Sequence, residues 1–582
     1  MLKLYKRLNR REWLYLFIII SLITFQSWLD LKMPDYMAEI TRYVQSGASE
    51  FNGILGSGSM MVILSLASLV SAVLTGLFTS LLAANLSMKI RDALFKKTIK
   101  LSESEIKKFK ISSLITRTTN DITQVQMFTA MGLHFLIKSP LMAVMAIIKI
   151  WNKNWQWSTL TAVGVVILLS VVSFLIAVVT PKFKIVQKLT DKLNGVTRES
   201  LTGIRVIRAF NAEKYQEDKF RDVNNKLTNQ QLFNQKMFAI MQPLMYLIMY
   251  GLTLGIYFIG ANLINNAGLS EKLVIFGDMI VFSTYAMHVI MSFLMLAFIF
   301  MVLPRASVSA SRINEVLDTD ISIVSGTFND LTKESGTVEF KNVYFRFPDG
   351  DDDLLCDINF KVNKGETFAI LGSTGSGKSA LIDLIPRMYD VTSGEVLVDG
   401  VNVKDYDLKY LNKKIGFVTQ KAILFNGTVA SNISYGKNLS KKQLEELSDV
   451  AQAKDFILKM DKQYNSHIAS GGTNVSGGQK QRLAIARAIA KMPEIYIFDD
   501  SFSALDYKTD SKLRKALKEY TNGATTIIVA QRIGTVMNAD KIIVLDEGKI
   551  VGMGKHKDLL KSCKVYREIA ESQLSLEELE NE

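Results

Sequence analysis

The sequence predicts an all-α six-helix transmembrane domain with long cytoplasmic helical extensions, followed by an α/β domain built on a parallel sheet. Three observations predict it. Apolar runs long enough to cross a bilayer occur in the first half of the 582 residues and not in the second. Charge divides the same way: residues 1–320 carry 34 Lys+Arg against 20 Asp+Glu, and residues 321–582 carry 35 against 36. From Ile321 onward short β-rich runs alternate with helical ones, which is the pattern of a parallel sheet. The domains are therefore drawn at 1–320 and 321–582.

Six stretches can span about 30 Å of hydrocarbon, near 13–31, 60–84, 129–151, 160–180, 239–264 and 279–303. Lys3, Lys6, Arg7, Arg10 and Arg11 precede the first. That run is too long for a signal peptide and lacks a small-residue cleavage pattern, so it is a retained span. The N-terminal segment and the loops at 85–128 and 181–237 hold 26 Lys and Arg, whereas the segments at 32–58, 152–156 and 265–278 hold four. The bias places both termini and the two basic loops in the cytoplasm of a multi-pass plasma-membrane protein. A basic excess confined to this half is topology, so nucleic acid is not an expected partner. Residues 86–128 and 182–237 are rich in helix formers and are expected to continue the spans as long helices that dock on the soluble domain.

Polar residues within the spans are few: His134 and Lys138 in the third, Tyr285, His288 and Ser292 in the sixth. Two readings stand for Lys138, one in which it faces a pathway or bundle interior and one in which it snorkels. Two cysteines, Cys356 and Cys563, exclude a disulfide framework and a cysteine zinc site, and four scattered histidines form no metal cluster. The acidic tail at 577–582 is expected to be solvated.

In the second half, the apolar run 366–371 leads into Gly372, Ser373, Thr374, Gly375, Ser376, Gly377, Lys378 and Ser379, and then into the helical run 380–385. This is G-x-x-x-x-G-K-[ST] in the strand–loop–helix setting that gives it meaning. Glycines admit phosphate to backbone N–H groups, Lys378 reaches the β- and γ-phosphates, and the Ser379 hydroxyl can ligate Mg²⁺. A second strand, 494–498, ends in Asp499, placed to hold Mg²⁺, and Asp500, placed beside an attacking water. Gln420 follows Val418 and Thr419 between them, and Asn474-Val-Ser-Gly-Gly-Gln479 lies just ahead of the carboxylate strand.

Ser476-Gly-Gly-Gln479, with Val475 where Leu is usual, resembles the signature of ATP-binding cassette (ABC) transporters, and the whole chain resembles exporters with six spans fused ahead of one cassette. Gln420 matches the family's Q-loop, 503–506 its D-loop, and Phe347 the position that stacks an aromatic on adenine. The stretches 116–121 and 199–206 look like its intracellular-loop sequences. The resemblance implies ATP and Mg²⁺ as cofactors, with Ser379, Gln420 and Asp499 around the metal. It also implies a pair of chains, with ATP held between one phosphate loop and the other chain's signature, so that Ser476 and Gly478 act on the partner's site.

Two positions depart from the family. Asp500 stands where Glu is usual, its carboxylate roughly 1–1.5 Å short, and Gln531 stands where a switch histidine is usual. Ser470 also replaces a common Glu. The combination resembles the degenerate-site subunit of heterodimeric bacterial multidrug-type exporters. On that resemblance the chain exports hydrophobic or amphipathic molecules (drugs, lipids or peptides) beside a second half-transporter that supplies Glu and His. The alternatives are an ATP-binding regulatory or sensory membrane subunit and a slow homodimeric exporter. The absence of a peptidase-like segment before the first span points away from peptide processing.

Overall fold

The computed structural model describes residues 1–46, 51–151, 154–521 and 523–574. The tail at 577–582 lies outside the described residues. The chain forms two compact units, one of 1–99 with 111–319 and one of 100–110 with 320–582.

The first unit is helical. Its long helices are Arg10–Ser46, Phe51–Lys100, a run through Ile111–Trp151, Trp155–Thr202, Glu213–Asn266 and Leu269–Asp318, and all six are long and apolar enough to cross a membrane. Its packed interior joins Trp157, Ile256, Phe282, Tyr285 and Ile290, with the Trp157 indole N–H donating to the Ile256 carbonyl at 3.1 Å. Charge ties the last helix to the third. Arg117 pairs with Glu315 (2.8 Å), and Asp121 accepts from Ser309 (2.9 Å). The family-like stretch 116–121 thus binds a neighbouring helix of its own unit.

As expected, the spans continue as long helices, to Lys100 from the second and to Thr202 from the fourth, with a break beyond each. The second helix ends at Lys100, because Ser102 and Glu105 form a capping box that starts a new short helix, Glu103–Phe109. Lys110 then takes a left-handed backbone (φ 62°) before the chain turns again. Gly203 similarly caps the fourth helix, its N–H donating to the Glu199 carbonyl, and Asn211 (φ 49°) separates the short helix Ile204–Ala209 from the fifth.

In the second unit the strands are β1 (Val338–Phe345), β2 (Leu355–Val362), β3 (Thr367–Gly372), β4 (Ser393–Val398), β5 (Val401–Asn402), β6 (Ile415–Val418), β7 (Gly427–Thr428), β8 (His467–Ile468), β9 (Ile495–Asp499), β10 (Thr525–Ala530), β11 (Lys541–Asp546) and β12 (Lys549–Gly554). One sheet runs β12-β11-β3-β10-β9-β6, parallel except for β12, and a second, antiparallel, runs β2-β1-β4-β5. The parallel strands are buried on both faces, which is why they read as continuous apolar runs rather than alternating ones. Successive side chains of β3 enter different cores: Phe368 and Ile370 join Phe340 and Ile497, while Ala369 and Leu371 join Phe498 and Leu483. Because β3, β10 and β9 are adjacent and parallel, their carboxyl ends emerge side by side.

Candidate functional site

Those three strand ends build the site. After β3 the chain turns through Gly375 (φ 88°) and Gly377 (φ 98°) into the helix Lys378–Asp383. Gly372 cannot be replaced without moving backbone, since a side chain there would run into the Leu545 carbonyl. Ser373, Thr374 and Gly375 are exposed, and Ser376 and Lys378 are buried. Lys378 Nζ donates to the carbonyls of Gly372 (2.8 Å) and Ser373 (2.6 Å), so the ammonium lies across the loop. Burial lowers its pKa, opposed by Asp500 and Asp499.

Ser379 Oγ donates to Asp499 Oδ1 at 3.2 Å, bringing together two of the three residues expected around Mg²⁺. Gln420, the third, donates its side-chain amide to Asp500 Oδ2 at 3.4 Å. The Gln531 amide donates to the same oxygen at 3.3 Å. Asp500 itself sits in a left-handed conformation (φ 42°), its N–H donating to Val529 of β10 and its carbonyl accepting from Ser503. Burial raises the pKa of Asp500, partly offset by hydrogen bonding to Gln420 and Ser503 and by the charges of Lys378 and Arg532. Burial likewise raises Asp499, against the hydrogen bond from Ser379. A divalent cation would offset both carboxylates here, so the donor set fits Mg²⁺ bound together with phosphate oxygens. Among the described residues no group of three His, Cys, Asp or Glu could hold a metal unaided.

Ser476 caps the helix Gly477–Ala490 through a capping box with Gln479. Nothing lies within 4 Å of where a side chain on Gly477 would sit, whereas Gly478 abuts the Ala504 carbonyl (3.2 Å). Two glycines at a capped helix start expose N–H groups to an anion. No hydrogen bond among the described residues joins Ser476 or Gly478 to the phosphate loop of this chain.

Phe347 packs edge-on against Phe345 and Tyr389. Sequence reasoning missed what surrounds it. Lys107, on the short helix Glu103–Phe109, lies 5.4 Å from the Phe347 ring centre and donates to the Tyr389 hydroxyl at 3.0 Å. Glu105 accepts from the Ser322 N–H at 3.2 Å; hydrogen bonds from Ser102 and Ser322 outweigh burial and hold its pKa low. The loop segment 100–110 therefore belongs to the nucleotide unit. The signal available in the sequence was the capping pattern Ser102-x-x-Glu105, which marks a helix start inside an otherwise helical loop. In the first unit Lys138 pairs with Asp30 (3.3 Å) instead of snorkelling, a partner that sequence reasoning also missed.

Comparison with known proteins places this geometry. The model described as "ABC transporter transmembrane region" matches residues 16–293, and the one described as "ABC transporter" matches 355–503. An "uncharacterized ABC transporter ATP-binding protein" of Mycobacterium bovis is 39% identical over 84% of this chain and 84% of its own length. An "ATP-dependent lipid A-core flippase" of Pseudomonas aeruginosa is 33% identical over 83% of this chain and 79% of its own. A solved structure described as a bacterial Atm1-family ABC exporter with ATP bound superposes with a TM-score of 0.77 at 22% identity, covering 95% of this chain and 97% of that one, which speaks to fold alone.

Proposed function

Since this chain belongs to the ABC transporter family, as an ATP-driven exporter with six candidate spans ahead of one cassette, we propose that it is the degenerate-site half of a heterodimer. Its own phosphate loop binds Mg²⁺–ATP and turns it over slowly, while Ser476 and Gly478 complete the competent site of a partner chain that carries Glu and His. The substrate is an amphipathic or hydrophobic molecule, a reading to which the lipid A-core flippase relative adds weight.

One observation carries the reading: Gln531 and Gln420 both donate to the same oxygen of Asp500. A general base must reach the water it activates, and a carboxylate one methylene short and held by two amides is poorly set to do so. Gln531 is a neutral donor, so it can hold a phosphate oxygen but brings no cationic charge as one forms. Lys378, Ser379, Asp499 and Phe347 meanwhile keep the arrangement that binds nucleotide. Ångström-scale misplacement of a base costs about 10²-fold in rate, so binding survives where turnover does not.

Steady-state hydrolysis by the purified chain tests this. Wild type and Asp500→Glu are expected to be slow, and Asp500→Glu with Gln531→His faster by about 10²-fold. Wild-type turnover equal to that of a complete pair would overturn the assignment in favour of a homodimer. A pair that hydrolyses ATP yet accumulates no amphipath in vesicles would favour the sensory alternative.

A further inference from the structure

Four membrane helices meet at a charged cluster. Asp30 on the first accepts from Ser68 Oγ of the second (2.7 Å, to Oδ1) and from Lys138 Nζ of the third (3.3 Å, to Oδ2). His288 of the sixth lies within electrostatic reach of both charges, and His134 stands one turn before Lys138 on the same helix. A second pair on the first and third helices gives the contrast. Asp35 is bound by Lys149 at 2.8 Å and by the hydroxyl of the fully buried Tyr285 at 2.6 Å, so both its oxygens are taken at short range.

The Asp30–Lys138 contact is longer, at 3.3 Å against 2.8 Å, and the more enclosed of the two, since Asp35 and Lys149 keep 34% and 38% of their side-chain exposure. Its side chains keep 20% and 16% of their exposure, open enough to be reached and too enclosed to be simply hydrated. Its hydrogen-bonding capacity is also lopsided. Each Asp30 oxygen already has a donor, whereas an ammonium carries three N–H groups and each imidazole at least one. Ser139, beside Lys138 in the chain, has a fully buried hydroxyl with no partner. Ionisable groups inside a bilayer are costly and persist where they bind something.

Resting on the exporter reading above, we propose that Lys138, His134 and His288 form a subsite for the anionic headgroup, phosphate or carboxylate, of an amphipathic substrate. Asp30 holds Lys138 in place between visits. The test is equilibrium binding to the chain with its partner in nanodiscs, using dodecyl phosphate and dodecanoate, with dodecyl maltoside and dodecyltrimethylammonium as neutral and cationic counterparts. Lys138→Met, and Lys138→Met with Asp30→Asn so that no carboxylate is left unpaired, are expected to raise the Kd for one or both anionic amphipaths at least tenfold and that for the maltoside less than twofold. Which anion responds tells phosphate from carboxylate, and Lys138→Arg retains the preference. Lys272→Met, the same charge loss at the start of the sixth helix, leaves every Kd within twofold. Anionic Kd values unchanged within twofold, an equal loss for all probes, or a loss confined to the cationic one would overturn the subsite. Binding needs no ATP-driven transport, so vesicles that accumulate nothing would sink the exporter reading and leave this result standing.

Discussion

At the scale of single residues, Asp383 of the nucleotide unit is a carboxylate whose surroundings push its pKa towards neutrality. Asp383 closes the phosphate-loop helix, and burial first, then the charges of Glu103 and Asp499, push its pKa up to about 7, with Lys107 opposing. An unfolded Asp titrates near 4, so the folded chain keeps a proton that the unfolded chain has lost. Stability from this group is therefore full below pH ~4 and is lost as pH rises to about 7. Asp383→Asn, which carries no charge to bury, is expected to raise the Tm of the purified chain at pH 8 and to change it little at pH 4.5. An equal shift at both pH values would contradict the assignment. The residues of the phosphate loop, Asp499 and Asp500 were legible in the sequence because glycine spacing and strand-end carboxylates are local signals. Asp383, Lys107 and Tyr389 were not, because their proximity comes from segments more than 270 residues apart.

At the scale of elements, strand burial made β3, β9 and β10 readable, while their adjacency, which brings Asp499, Gln531 and Lys378 to one edge, is a matter of topology that periodicity does not encode. Helix-forming composition likewise made the long loop helices readable. The breaks after them carried local signals, the capping pattern Ser102-x-x-Glu105 and the helix-ending Gly203. The helix Leu408–Lys414 is anchored by a buried charge network. Lys414 Nζ donates to Asp399 at 2.7 Å and to Glu494 at 3.0 Å, tying the end of β4 to the start of β9. Burial works against the Lys414 charge, but Asp399 and Glu494 outweigh it and raise its pKa. The Asp399 side chain is fully buried, so Lys414→Met strands a carboxylate and is expected to cost about 3–5 kcal/mol of stability in denaturant unfolding. Adding Asp399→Asn should recover part of that loss. A Lys414→Met cost below about 1 kcal/mol, the range of a solvent-exposed pair, would show that the network is not structural.

At the scale of the whole molecule, the proposed reading is that the chain holds ATP at its own phosphate loop and turns it over slowly, because Asp500 and Gln531 stand in for Glu and His. Its signature helix presents open N–H groups that make no hydrogen bond to its own phosphate loop among the described residues. On that reading a second chain receives them, and the pair divides one site for holding from one for turnover. Nucleotide retention tests this most directly. The complex of this chain with its partner is loaded with radiolabelled Mg²⁺–ATP, allowed to cycle, chased with unlabelled ATP, and cross-linked to ask which cassette still holds label and in what form. The account predicts unhydrolysed ATP on this chain, near Phe347, after many turnovers of the complex. Labelled ADP on both chains in equal amounts, exchanged at the same rate, would contradict it.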